Sequence, residues 1–273
     1  MRKKLSNILI FLLISLSLSS LLLTGCGFFD FSNDGTISGI SGTEIDDDRS
    51  VVEINFEMVD PPVAPGSNLV KILKEIHPSV VSIKISSSRS SSAGSGVVIA
   101  ADDLYSYIVT CEHVVASSAS SPSIHVTLSE GETQYAALRI GGNATEDIAL
   151  LRIRKTGIPI AKIRNTTSGP IQLGEDVIVI GNPLGSLGGT VTQGIISGLA
   201  RQISVEGVSM TLLQSDAAIN SGNSGGGMFD ENGLLIGIVN AKSAEEKTEG
   251  LGFAIPIENA VEVIKVILKT FIV

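Results

Sequence analysis

From Val80 to Ile255 the chain is a succession of short β-forming runs with nothing helical between them. That pattern constrains the fold more than any other feature. The first group is Val80–Ile85, Gly96–Ala100, Tyr107–Cys111, Ile124–Leu128, Ala136–Ile140 and Ile148–Ile153. After a polar stretch from Arg154 to Gly169 come Val177–Ile180, Thr190–Leu199, Ser209–Gln214, Gly226–Phe229, Leu235–Asn240 and Gly252–Ile255. Clusters of Gly, Ser, Asn and Asp punctuate them, as turns require. Parallel neighbours would need long crossovers, which this spacing does not offer, so the runs predict an antiparallel sandwich or barrel. Equal numbers of runs on either side of the central stretch predict two similar β units. No repeat of 20–50 residues is visible.

Helical periodicity is confined to the flanks. Leu69, Val70, Ile72, Leu73 and Ile76 share one face, Ser67 is placed to cap them, and Pro78 ends the pattern. Glu258 to Lys269 repeats the period through Val261, Ile264 and Leu268. Ahead of the first helix, the segment from Gly27 to Gly66 is polar and acidic, with Asp46-Asp47-Asp48 and Asp60-Pro61-Pro62. It reads as a tether. Within it, Val51 to Met58 alternates as a short strand would.

The start is an address. Arg2, Lys3 and Lys4 precede an uncharged apolar run from Leu5 to Leu23, followed by Thr24-Gly25-Cys26. A basic start, an apolar stretch and small residues before a cut site make a secretory signal. Leu23-Thr24-Gly25-Cys26 resembles the bacterial lipobox, which implies Cys26 as the lipidated first residue of the mature protein. An uncleaved transmembrane anchor is the alternative, because the run is just long enough to span a bilayer. Ser15, Ser17, Ser19 and Ser20 weigh against it. Both readings put the remaining chain outside the cytoplasm. The expected divisions are therefore signal peptide 1–25, tether 26–66 and a domain over 67–273, with β units at about 79–155 and 173–256 and a closing helix at 258–269.

Composition removes several function classes. Asp and Glu number 28 against 19 Lys and Arg, a net charge of −9, which disfavours nucleic acid as a partner. Two cysteines cannot staple a disulfide scaffold or complete a four-cysteine zinc site. The three histidines, His77, His113 and His125, are scattered, so no metal site and no cofactor are expected.

The densest chemical signal is Asp216-Ala217-Ala218-Ile219-Asn220-Ser221-Gly222-Asn223-Ser224-Gly225-Gly226. Glycines on both sides of Ser224 permit a tight turn that exposes its Oγ and nearby amides, as a nucleophile beside an oxyanion site requires. Gly222-Asn223-Ser224-Gly225-Gly226 also fits the nucleophile elbow of α/β-hydrolases, but that fold needs a histidine after the serine. All three histidines precede Ser224. His77 sits before Pro78 at a helix end, and His125 alternates with Ile124 and Val126 as a solvent-facing strand residue would. His113, directly after the run Tyr107–Cys111, is the expected base. Asp147, at the mouth of Ile148–Ile153, is the expected partner that orients it. The order His113, Asp147, Ser224 is that of chymotrypsin-type proteases.

These residues sit inside wider matches. Thr110-Cys111-Glu112-His113-Val114-Val115, Asp147-Ile148-Ala149-Leu150-Leu151, Ile180-Gly181-Asn182-Pro183-Leu184-Gly185, Gln214–Gly226 and Gly252-Phe253-Ala254-Ile255-Pro256 resemble the HtrA/Deg family of trypsin-like serine proteases, in order, over about residues 68 to 260. The resemblance implies an all-β fold of two six-stranded antiparallel barrels, with the triad between them. It also implies Gly222, Asn223 and Ser224 as the oxyanion loop, with Asn223 supporting the turn. Ala218 would form the pocket floor, and Ile238, Val239 and Asn240 another wall, with extended substrate adding as a strand near Val239. Asn182 to Gly189 resembles a family loop that helps form the active site.

Cys111, Ser221 and Gly227 depart from the usual Asn, Pro and Pro, and Cys111 reads as a small buried hydrophobe. The few residues after Pro256 are too short for the PDZ domain many relatives carry, so none is expected. The expected function is a membrane-tethered endopeptidase cutting unfolded or extended polypeptides after small or aliphatic residues, in protein quality control. The alternatives are a proteolytically weak, chaperone-like binder of the same fold, or a glutamyl-endopeptidase-like protease. A homotrimer is the implied assembly, with Phe56 as a candidate contact.

Overall fold

The computed structural model describes residues 56–60, 69–87, 91–116, 123–129, 131–182, 189–205, 207–241 and 250–271. The signal peptide, Cys26, Ser67 and most of the 26–66 tether lie outside them. No helix among the described residues is long and apolar enough to cross a membrane.

β-Branched runs become strands where both of their faces can be covered. Six strands close the first barrel: β2 (Val80–Ser86), β3 (Ser91–Ala101), β4 (Ser106–Thr110), β5 (Ser123–Thr127), β6 (Gln134–Asn143) and β7 (Ile148–Ile153), in the order β2-β3-β4-β7-β6-β5. Val97, Val98, Ile99 and Ala100 are all at most 1% exposed, so β3 is covered on both faces, which is why its sequence shows no alternation. The second barrel uses β9 (Asp176–Gly181), β10 (Thr190–Val205), β11 (Val208–Ser215), β12 (Gly227–Asp230), β13 (Leu235–Val239) and β14 (Gly252–Pro256). Its order is β13-β12-β9-β10-β11-β14, closed by β13–β14 pairing. The fold is thus all-β, two six-stranded antiparallel barrels: the runs predicted two antiparallel β units, and the family resemblance implied the barrels.

Among the described residues, three helices complete it. α1 (Leu69–Ile76) runs into a 3₁₀ turn, His77–Ser79, where Pro78 removes an amide that a longer helix would need. A Cβ on Gly233, in the β12–β13 turn, would sit 2.9 Å from Ile76 and 3.0 Å from Ile72, so α1 rests on that turn. α2 (Glu112–Val115) is a single turn that carries His113. α3 (Ile257–Phe271) buries Ile257, Ala260, Val261, Val263, Ile264, Ile267 and Leu268, a helical stripe against the strands, with Ile267 seated on Gly141 of β6.

Three features depart from the sequence reading. β10 extends six residues past Leu199, bending at Ala200, whose φ of 47° accompanies a register shift between Gly198 and Arg201. Beyond the bend, polar cross-strand pairs such as Gln202 Nε2 to Thr211 Oγ1 at 2.7 Å hold an exposed hairpin. The stretch read as merely polar contains β8 (Ile163–Arg164), which pairs in parallel with β13 and with β1 (Met58–Val59). Residues 56–60 therefore join the domain's sheet rather than the tether. The Asn165 amide donates to the Val59 carbonyl at 3.0 Å, and Asn165 Nδ2 to Asp60 Oδ1 at 2.9 Å.

Behind β8, Arg164 is 7% exposed and meets Glu175 at 2.6 Å and Asp230 at 3.4 Å. Burial pushes the Asp230 carboxyl above its ordinary value, against the Leu234 and Asn232 amides and the Arg164 charge. One core cluster spans both barrels, from Val80 through Ile180 to Ile255, and a second, around Val177, Met228 and Ile236, lies within the second barrel.

Candidate active site

The last residue of β4, Thr110, hands the chain to Cys111 and then to α2, so His113 leaves the first barrel at its rim. Asp147 stands just before β7 with φ 51°, a left-handed conformation that Asp tolerates better than bulkier residues. Hydrogen bonds hold it there. Its carbonyl accepts from the Glu112 amide at 3.1 Å, and its Oδ1 from the His113 amide at 2.8 Å. Its Oδ2 lies 2.6 Å from His113 Nδ1. That contact fixes which imidazole nitrogen faces the carboxylate and leaves Nε2 as the outward one. Glu112 in turn pairs with Arg139 of β6 at 2.6 Å. The pair closes over Gly142 of β6, where a Cβ would push the ends of both side chains aside.

Ser224 lies at the rim of the second barrel, between β11 and β12. The turn is built by backbone bonds: the Asn223 amide to the Asn220 carbonyl at 3.0 Å and the Gly226 amide to the Asn223 carbonyl at 2.8 Å. Gly222 has φ 98° and Gly225 φ 82°, conformations only glycine adopts freely. Gly225 has a second constraint, since a Cβ there would lie 2.2 Å from the Ser95 carbonyl and from Thr110 Oγ1. Ser224 is 6% exposed, and its Oγ accepts from the Ala241 amide at 3.2 Å. Among the described residues no hydrogen bond joins Ser224 to His113. Such contacts commonly tighten only when substrate binds.

The expected wall residues are placed differently from the sequence reading. Ile238, Val239 and Asn240 are fully buried. Pairing with β12 and β14 occupies both edges of β13, and its two faces pack into the core, Ile238 in one cluster and Val239 in another. The backbone of Val239 is also engaged: its amide donates to Gly226 and its carbonyl accepts from Gly225, both at 2.9 Å. An added substrate strand cannot pair at Val239. Asn240 turns its side chain inward and donates from Nδ2 to Asp147 Oδ2 at 3.0 Å. Ala218 is exposed, and its carbonyl accepts from Thr192 Oγ1 at 2.9 Å.

Asn223, 2% exposed, packs against Gly181, and its buried Oδ1 has no hydrogen-bond partner among the described residues. Cys111 is fully buried. Its sulfur falls with the His113 and Asp147 ligand atoms inside 4.8 Å, a proximity the sequence spacing did not suggest. Each atom is already engaged, since Nδ1 and Oδ2 bond each other and Sγ donates to the Val239 carbonyl at 3.3 Å. His77 and His125 lie elsewhere, the first 3.4 Å from the Gly189 carbonyl and the second opposite Lys84 in β5.

Comparison with known proteins agrees with this geometry. Residues 94–238 match the family model described as the trypsin-like peptidase domain. The chain belongs to the trypsin-like peptidase family. Serine protease Do-like HtrB of Bacillus subtilis is 38% identical over 229 residues, 76% of this chain and 49% of that protein. The probable periplasmic serine endoprotease DegP-like of Rickettsia prowazekii is 40% identical over 179 residues, 64% of this chain and 33% of its own. The crystal structure of the serine endoprotease from Yersinia pestis superposes with a TM-score of 0.63 at 34% identity, covering 74% of this chain and 67% of that one. The chain thus spans half or less of the two curated relatives. Within the trypsin-like family its relatives are HtrA-type serine proteases, and its domain is a serine peptidase domain.

Proposed function

We propose that this chain is an HtrA-type serine endopeptidase that works outside the cytoplasm on unfolded or extended polypeptide. The observation that carries this is the 2.6 Å contact of His113 Nδ1 with Asp147 Oδ2, in a peptidase domain whose Ser224 sits in a glycine-bracketed turn. In the proposed cycle Ser224 Oγ leaves the Ala241 amide and turns to His113 Nε2. His113 takes its proton as Oγ attacks a peptide carbonyl, and Asp147 stabilises the resulting imidazolium. The Gly222 and Ser224 amides hold the oxyanion, and Asn223 supports their turn. His113 then protonates the leaving amine, and water releases the acyl-enzyme by the reverse path.

Specificity is assigned to Ala218, which is exposed and is not itself an acidic residue that would pair with a basic side chain. Small or aliphatic side chains are the proposed preference. Cys26 is the proposed lipid attachment point, which would hold the enzyme at the outer face of a bacterial membrane. The periplasmic label on the Rickettsia relative supports an extracytoplasmic site of action. A quality-control role and a homotrimer follow from the family resemblance.

The test is casein cleavage by wild type and Ser224→Ala, with a peptide library scanned at P1. Cleavage after aliphatic residues, lost in Ser224→Ala, is expected. Cleavage after Glu would instead favour a glutamyl endopeptidase, and casein binding without cleavage a chaperone-like binder. Labelled palmitate incorporated by wild type and not by Cys26→Ala tests the anchor.

A further inference from the structure

Ser95, at the middle of β3, is fully buried, and four hydrogen bonds converge on it from three other parts of the chain. Its amide donates to the Ser224 carbonyl at 2.8 Å. Its hydroxyl donates to the Gly222 carbonyl at 2.7 Å. The same hydroxyl accepts from the Asn182 amide, just past the end of β9, also at 2.7 Å. Its carbonyl accepts from Thr110 Oγ1 at 2.7 Å, one residue before the Cys111–α2 turn. Asn182 is fastened a second time, because its Nδ2 donates to Ser82 Oγ, and Ser82 is the β2 residue paired with Ser95.

We infer that Ser95 is a positioning residue for the oxyanion loop, acting from the first barrel on a turn that belongs to the second. This inference rests on the proteolytic reading above. The Gly222 and Ser224 carbonyls bracket the Asn223–Ser224 peptide, whose amide is one of the two oxyanion donors. A single residue holds both carbonyls, one by its amide and one by its hydroxyl. Gly222, at φ 98°, has no side chain to resist rotation, so the orientation of its carbonyl depends on what that oxygen bonds to. The Ser95 hydroxyl can donate to Gly222 because its acceptor side is satisfied by the Asn182 amide. That arrangement gives the hydroxyl proton one direction. β9 and the oxyanion turn are therefore set in register through one side chain.

The hydroxyl is the part that substitution removes. Ser95→Ala keeps both backbone bonds and deletes the bond to Gly222 and the acceptor for Asn182. Direct loss of an oxyanion donor lowers kcat by roughly 100- to 1000-fold, and a misaligned donor should cost less, about 10- to 100-fold. The experiment compares wild type, Ser95→Ala and Ser95→Cys, using a fluorogenic peptide with an aliphatic P1 residue and the matching peptide boronate. The boronate becomes tetrahedral on Ser224 and places an oxygen in the oxyanion site.

The expected result is a fall in kcat with KM within about twofold, and an equal loss of boronate affinity. Ser95→Cys, with a weaker donor of similar size, should fall between the other two, and it carries the test alone if Ser95→Ala does not fold. A lowered Tm with kcat and boronate affinity unchanged would overturn the inference, since a merely structural residue behaves that way. If wild type itself neither cleaves the peptide nor binds the boronate, the proteolytic reading fails first, and the inference with it.

Discussion

Asn240 Nδ2 lies 3.0 Å from Oδ2 of Asp147, the oxygen that also meets His113 Nδ1 at 2.6 Å. The carboxylate thus has donors from both barrels, Asn240 from the second and the His113 amide and ring from the first. With Asn240 fully buried, the Asp147 rotamer is fixed by packing as well as by charge. Asn240→Ala should lower kcat/KM about tenfold and stability by about 1–3 kcal/mol, the usual range for removing a bond to a charged acceptor. Steady-state kinetics and urea denaturation check the two figures.

Asp147→Asn keeps the shape but can force the wrong imidazole tautomer. A loss of about 10⁴ in kcat is expected, with KM little changed and the fold retained. Circular dichroism alongside peptide hydrolysis separates loss of chemistry from loss of structure.

Two glycines with similar backbone angles should respond very differently. Gly157 has φ 75° and open space where a Cβ would go, so Gly157→Ala should cost about 1–2 kcal/mol of left-handed strain. Gly225 has φ 82° and would drive a Cβ into the Ser95 carbonyl and Thr110 Oγ1. Gly225→Ala should abolish activity and destabilise by more than about 3 kcal/mol. Thermal melts of both variants check the contrast.

Removing Arg164 would leave Asp230 buried without its cation. Arg164→Ala should cost about 3–5 kcal/mol by urea denaturation. Because the Asp230 carboxyl is already raised by burial, the folded state holds its proton more tightly than the unfolded one. Its contribution is most favourable at low pH and falls as pH rises through the window above the ordinary carboxylate value. Deleting Arg164 should widen that window upward, so the variant's deficit should be larger at pH 7 than at pH 4.

Asp102 behaves oppositely. Burial raises its carboxyl, but the Tyr107 hydroxyl, the Leu104 and Tyr105 amides and Arg152 outweigh it, leaving a net lowering. A lowered carboxylate stabilises above its unfolded value and loses that stabilisation as pH falls through the folded one. Asp102→Asn should therefore reduce Tm at pH 7 and converge with wild type in acid. A pH series of thermal melts checks this.

Most strands were legible as short apolar runs between turn residues, most plainly Val97–Ala100 and Ile148–Ile153, which are fully buried. β8 was not, since two residues inside a polar stretch carry no period, and its partners, Met58–Val59 and Leu235, are far away in sequence. Arg164, in the same stretch, is buried only because Glu175 and Asp230 close on it from elsewhere in the chain. His113, Asp147 and Ser224 were picked out by residue type and order, and the structure brings the first two into contact. The inward turn of Asn240 and the convergence on Ser95 were not, because both depend on which way a side chain points once the barrels have closed. Gly94-Ser95-Gly96 was the available signal for the second, two glycines flanking a serine inside a strand where close backbone approach is expected.

In the proposed mechanism His113 and Asp147 activate Ser224 as a nucleophile. Fluorophosphonate labelling, with the adduct mapped by mass spectrometry, tests it most directly. A single adduct on Ser224 is predicted, slowed by at least about 1000-fold in His113→Ala. An adduct on another residue, or labelling of Ser224 at the same rate without His113, would contradict it.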